Sequence, residues 1–256
     1  MIDFEVKGAI FDMDDTLLDN QEGLRGEGLH ERSRLSTVHE IGISHGIRSL
    51  VDYPAEANIS AFRNASVHTT KGAMWQILYE CGVVNTKVID LEHPLLNEME
   101  ALGFELHTDI LSDEAEEITD ASAFIRGLGR TGLKDKMAIA SSGILKHIQI
   151  FINKVGLTEY FPLERIKSLE SFTDPKPHPA VYNLAFESLG LTEADRSHTV
   201  AFEDDPRGIE AARAAGLYVC AIATRYTKED LMSLKIPPDF AANSYKEFSG
   251  YFNISI

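Results

Sequence analysis

Cysteine is nearly absent: 256 residues contain two, Cys81 and Cys220, far apart and outside any CxxC spacing. That excludes a disulfide framework and a thiolate zinc site, and leaves two buried, unreactive thiols as the reading. Long apolar runs are missing too. LYVCAIA, at 217–223, is among the longest and is strand-sized, far short of a membrane span, so no membrane partner is expected. Positive charge is scarce: 24 Lys and Arg stand against 40 Asp and Glu, a formal charge of -16. Nucleic acid is therefore an unsuitable partner, since phosphate backbones are bound by excess Lys and Arg. Small anions fit only where a metal or a few local cations offset the field. The opening stretch, MIDFEVKGAIF, carries Asp3 and Glu5 where a secretory signal would carry basic residues, so a cytoplasmic location is expected.

What is present is an ordinary globular balance, 44% hydrophobic and 25% charged residues. The length suits one core of usual size plus an insertion. Apolar, β-rich runs recur at 6–11, 136–141, 198–202 and 217–223, with a weaker one at 165–169. Runs that are apolar throughout and separated by helical patterns indicate a parallel sheet covered on both faces. Helical spacing appears at 143–156, 177–190 and 206–215, the last two beginning beside a proline. Residues 20–116 break that rhythm: they hold helical patterns, notably 71–81, and are too long for a loop. The expected architecture is α/β, with a doubly wound core of residues 1–19 and 117–256 and an inserted all-helical domain of 20–116.

One motif misleads. Gly127-Leu-Gly-Arg-Thr-Gly132 matches GxGxxG, but a dinucleotide fingerprint needs a strand before it and a helix after it. Here a helix over 119–128 precedes and a strand follows, so these glycines end a helix and turn the chain.

The run VKGAIF ends in FDMDDTLLDN, with Asp12, Asp14, Asp15 and Asp19 crowded together. Asp12 falls at the C-terminal end of a buried strand, where open α/β sheets place ligand crevices. Asp14 points to the same side if the chain stays extended, and two carboxylates near one point can share a hard divalent cation. An EF-hand loop is excluded because Leu17 stands where it needs glycine. The alternative is a solvated acidic turn, with Asp15 and Asp19 as part of it or as helix caps. Other strand ends carry Ser141-Ser142-Gly143, suited to an anion or simply an N-cap; Lys176 between two prolines, a surface charge or a fixed cation; and Glu203, Asp204 and Asp205 before a helix, ligands or macrodipole partners.

Acid pair, hydroxyl, lysine and acid pair thus follow one another at four candidate strand ends. That order resembles the haloacid dehalogenase-like hydrolase superfamily, in its phosphatase and phosphomutase branch with a helical cap after the first strand. The resemblance implies a Rossmann-like core and an Mg2+-dependent phosphoric monoester hydrolase acting on a small phosphorylated metabolite. Asp12 would be the nucleophile that forms an aspartyl-phosphate, and Asp14 the acid and base. Ser141, Ser142 and Lys176 would bind phosphate. Asp12, Asp14 through its carbonyl, Asp204 and Glu203 would hold the metal, the last directly or from behind. Arg207 adds charge or lies at the surface. Three positions depart from the family pattern: Asp15 replaces a usual glycine, Asp205 a small hydroxyl residue, and Thr119-Asp120 a Pro-Gly. Gln21, Arg25, His68, Lys71 and Trp75 are candidates in the cap, with ordinary surface or packing roles as the alternative. A β-phosphoglucomutase-like phosphosugar mutase and a catalytically silent metal- or phosphate-binding module are the rival functions.

Overall fold

The computed structural model describes residues 2–20, 28–67 and 69–256. It divides into two compact units, Met1–Asp19 with Ala115–Ile256, and Asn20–Glu114.

The first unit is built on strands β1 (Gly8–Phe11), β2 (Leu18–Asp19), β3 (Glu116–Glu117), β4 (Met137–Ala140), β5 (Ile166–Lys167), β6 (Thr199–Glu203), β7 (Tyr218–Ile222) and β8 (Phe240–Ala242). Six form one sheet in the order β5-β4-β1-β6-β7-β8, and every pairing in it is parallel. β1, β4 and β6 are buried along their whole length, as expected where helices cover both faces. On one face Ile10, Ala138, Tyr182, Phe186, Ile209 and Val219 share a core. On the other, Phe202 stacks on Phe11 at 4.6 Å and meets Phe124 and Phe248 edge-on at 5.4 and 5.3 Å. The chain crosses from β1 to β4 and β5 on one side, then returns to β6 on the other. This reversal beside β1 is the switch point at which open α/β sheets bind ligands.

The second unit holds α1 (Leu29–His45), α2 (Arg48–Val51), α3 (Ala55–Asn64), α4 (Thr70–Glu80) and α5 (Pro94–Glu114). Its own core joins Val38, Ile41, Trp75, Leu78, Leu96 and Met99. Buried Arg34 is satisfied inside it, donating to the side chain and carbonyl of Asn58 at 2.7 and 2.9 Å. The remaining helices belong to the sheet unit: α6 (Ala121–Leu128), α7 (Leu145–Lys154), α8 (Ala180–Ser188), α9 (Pro206–Ala214), α10 (Lys228–Met232) and α11 (Tyr245–Phe252). No helix among the described residues is long and apolar enough to cross a membrane.

Several sequence expectations need adjustment. The antiparallel pair β2–β3, which brackets the second unit in sequence, and the short edge strand β8 were not foreseen. Helix α8 starts at Ala180, not 177, because the residue before Pro179 is steered away from helical geometry. Helix α7 starts at Leu145, not 143, and its first N–H is taken by the Glu170 carboxylate at 3.2 Å. The GxGxxG segment does follow α6 and precede β4, with Gly132 at φ 97°, a turn.

Candidate active site

The backbone ladder carries Asp12 past the end of β1: its N–H donates to Phe202 O at 3.0 Å, which sets it beside the end of β6. Residues 13–18 then close a tight turn, in which Met13 O accepts from Leu17 N and Leu18 N at 2.8 and 2.9 Å. Asp15 occupies this turn at φ 58°, and Asp120, the N-cap of α6, has φ 67°. Both stand where the family resemblance leads one to expect glycine. The left-handed backbone is the physical reason, since glycine adopts it freely and aspartate is among the few other residues that tolerate it.

Lys176 reaches in from the loop that precedes α8. Its Nζ donates to Asp12 Oδ1 and to Glu203 Oε1, each at 2.6 Å, and to Ala140 O at 3.1 Å. Glu203 is fully engaged. Oε1 also accepts the Tyr182 hydroxyl at 2.6 Å, and Oε2 accepts Asp204 N and Asp205 N at 3.1 and 3.4 Å. A Cβ at Gly208 would overlap that carboxylate, so only glycine fits one turn along α9. Asp204 Oδ1 accepts the hydroxyl of buried Thr16 at 3.1 Å, while Thr16 O accepts from Tyr245 OH at 2.8 Å. Asp12, Glu203 and Asp204, all buried, each offer a carboxylate oxygen within 4.8 Å of the others, a hard-oxygen donor set able to hold a metal ion. Both Glu203 oxygens already accept hydrogen bonds, so it could join that donor set or stand behind Asp204.

Ser141 lies at the end of β4, buried; its N–H donates to Lys167 O and its Oγ accepts from Gly143 N, both at 2.9 Å. Its hydroxyl proton remains to be donated. A Cβ placed on Gly143 would lie 3.1 Å from Ser141 Oγ and 3.7 Å from Asp14 Oδ2, so Asp14 and Ser141 flank one point. Ser142 is exposed.

Not every candidate joins this group. Asp19 lies in β2 and begins no helix. Asp205 is the N-cap of α9, accepting Arg207 N at 2.9 Å, and half-exposed Arg207 pairs with it at 3.3 Å, the surface role. Lys71 is tied to Glu100 at 2.9 Å and Trp75 is buried with its Nε1 donating to Thr86 O at 3.0 Å, so both serve the second unit's own packing. Gln21, Arg25 and His68 lie outside the described residues.

Electrostatics follow from this crowding. Burial first, and Glu203 and Asp14 next, push Asp12 well above the usual carboxylate range, although Lys176 pulls the other way. Asp204 is raised by burial, then by Glu203, Asp12, Asp15 and Asp205. For Lys176, burial acts to lower the pKa, but Asp12 and Glu203 together outweigh it and keep the ammonium charged.

A family model described as haloacid dehalogenase-like hydrolase matches residues 6–216. The chain belongs to that family. It is 23% identical over 229 residues to an uncharacterized protein of Haemophilus influenzae, covering 88% of this chain and 97% of that one. Over 99 residues it is 34% identical to glycerol-1-phosphate phosphohydrolase 2 of Saccharomyces cerevisiae, spanning 36% of this chain and only 38% of that enzyme. The crystal structure of CbbY from Rhodobacter sphaeroides in complex with phosphate superposes with a TM-score of 0.67 at 20% identity, over 95% of this chain and 96% of that one.

Proposed function

We propose that the protein is an Mg2+-dependent phosphatase of small phosphorylated metabolites that works through an aspartyl-phosphate on Asp12. The observation that carries this reading is the convergence of Asp12 from the end of β1 with Glu203 and Asp204 from the end of β6 on one site, where Lys176 bridges Asp12 and Glu203. The yeast relative named a glycerol-1-phosphate phosphohydrolase supports it.

In this mechanism Asp12 attacks phosphorus. A bond forms from its carboxylate oxygen, the ester P–O bond breaks, and Asp14 gives its proton to the leaving oxygen. Lys176 and the Ser141 hydroxyl neutralise charge on the phosphoryl oxygens. Asp14 then accepts a proton from water as that water attacks phosphorus, the bond to Asp12 breaks, and phosphate leaves. Asp12, Asp204 and the Asp14 carbonyl would hold Mg2+, with Glu203 as a further ligand or behind them, and the ion would supply the positive charge that lets two anions approach.

A phosphate-release screen over sugar phosphates, phosphoglycolate and nucleotides, with Mg2+ and with EDTA, tests the reading. Release that requires Mg2+ is expected. Sugar-phosphate interconversion without inorganic phosphate, or no release from any compound, overturns it.

Metal binding should also appear as a pH-dependent stability. Because the folded chain raises the Asp12 and Asp204 pKa values, their stabilising contribution is complete below the unfolded carboxylate value near about 4 and is lost as pH rises through the raised values. A cation competes with those protons. The increase in melting temperature on adding Mg2+ should therefore grow as pH rises from the unfolded carboxylate value through the raised ones. Thermal unfolding by circular dichroism reads it, and an increment independent of pH contradicts it.

A further inference from the structure

The role of Asp15 is not accounted for by the chemistry above. It is buried, 1% exposed, in the same turn as Asp12 and Asp14. Backbone geometry alone does not call for a charge, since glycine or asparagine serves a φ of 58° equally well. A buried carboxylate is unfavourable unless something compensates it. The compensation comes from the loop after β7: Arg225 Nη1 lies 3.6 Å from Asp15 Oδ2, and the neighbouring Thr224 hydroxyl donates to Asp15 O at 2.8 Å. The Arg225 side chain is 47% exposed, so its guanidinium stands between the buried acid and water.

We propose that Asp15 and Arg225 form a charge-compensated pair that sets the balance between cation and phosphate affinity at the Asp12–Asp204 site. This rests on the metal and phosphate reading above and deepens it by assigning two positioning residues. Asp15 adds negative charge near Asp204, and Arg225 cancels it. Geometry ties the Asp15 turn to that site: the next residue, Thr16, donates its hydroxyl to Asp204 Oδ1 at 3.1 Å. A chain with glycine at position 15 needs no such arginine. A chain with aspartate and no arginine would hold cations tightly and repel phosphate.

A purely structural tie and an electrostatic balance differ in what they move. Loosening the turn would weaken binding of cation and phosphate together, whereas changing the local charge moves them in opposite directions. Mn2+ binding followed by electron paramagnetic resonance, and inorganic phosphate binding followed by calorimetry at saturating Mg2+, separate the two. Arg225→Gln should tighten Mn2+ and weaken phosphate, each by about three- to tenfold, as expected for one charge at short range in a partly screened site. Asp15→Asn, which keeps shape and tolerates the left-handed backbone, should weaken Mn2+ and tighten phosphate by similar factors. The double variant should return both affinities close to wild type. Parallel losses in either single variant, or shifts below twofold in both, overturn the pair's role and leave the metal reading intact. Wild-type protein that binds no Mn2+ overturns the metal reading, and this inference with it.

Discussion

Asp12→Asn is expected to abolish phosphate release, by at least about 10³-fold, while leaving the fold intact. An amide has the shape of the carboxylate but does not displace an ester oxygen at phosphorus. Folding should survive because Asn Oδ1 can still accept from Lys176, which now donates to Asp12 Oδ1 at 2.6 Å. The substitution also removes one of three crowded carboxylates, so the melting temperature in EDTA should hold or rise. Asp14→Asn should behave differently. It removes the proton donor and acceptor but not the nucleophile, at about 10²–10⁴-fold in turnover. With p-nitrophenyl phosphate, whose leaving group needs no proton, this variant should release one equivalent of nitrophenol quickly and then slow. Mass spectrometry should find the phosphoryl group on Asp12. Steady turnover in Asp12→Asn would remove the nucleophile, and equal behaviour of both variants would remove the division of roles.

The candidate site groups were legible because apolar strands stop abruptly at polar residues: GAIF at Asp12, MAIA at Ser141, TVAFE at Asp204. Parallel sheets bring such ends together, so their order along the chain carried spatial information. The groups that hold the acids in place were illegible. Tyr182 reads as an ordinary helix core residue, and it does pack there, yet its hydroxyl ends on Glu203. Thr16 and Asp204 meet across most of the chain, and nothing local in either marks the bond. Gly208 looks like a weak point in α9 until the carboxylate beside it is seen. Arg225, in the polar stretch TRYTKED, resembles any surface cation. β8 escaped notice because FAA is short and carries two alanines, which have little β preference. In the inserted unit, helical spacing identified α4, but Lys71 and Trp75 proved to serve its packing, a distinction periodicity does not make.

Lys176→Met should lower stability and activity together, and the two losses should then come apart. The ammonium side chain is 10% exposed, and its carboxylate partners Asp12 and Glu203 are 11% and 1% exposed. Removing one member of a buried ion pair leaves uncompensated charge, here two carboxylates, at about 3–5 kcal/mol in urea unfolding. Because two acids raise the Lys176 pKa, its contribution is present at all pH values below the unfolded lysine pKa, near about 10.4, and the deficit should persist across the neutral range. Mg2+ should narrow it by supplying another cation to the same acids. Adding Glu203→Gln removes one orphaned charge while keeping an acceptor for the Tyr182 hydroxyl, so the double variant should be more stable than Lys176→Met alone. Activity should not follow. If Lys176 neutralises charge developing on the phosphoryl group, turnover stays down by about 10²–10³-fold in both variants, whatever the stability. If the double variant regains turnover along with stability, the lysine serves only to hold Glu203 in place, and phosphate neutralisation must fall to other groups at the site.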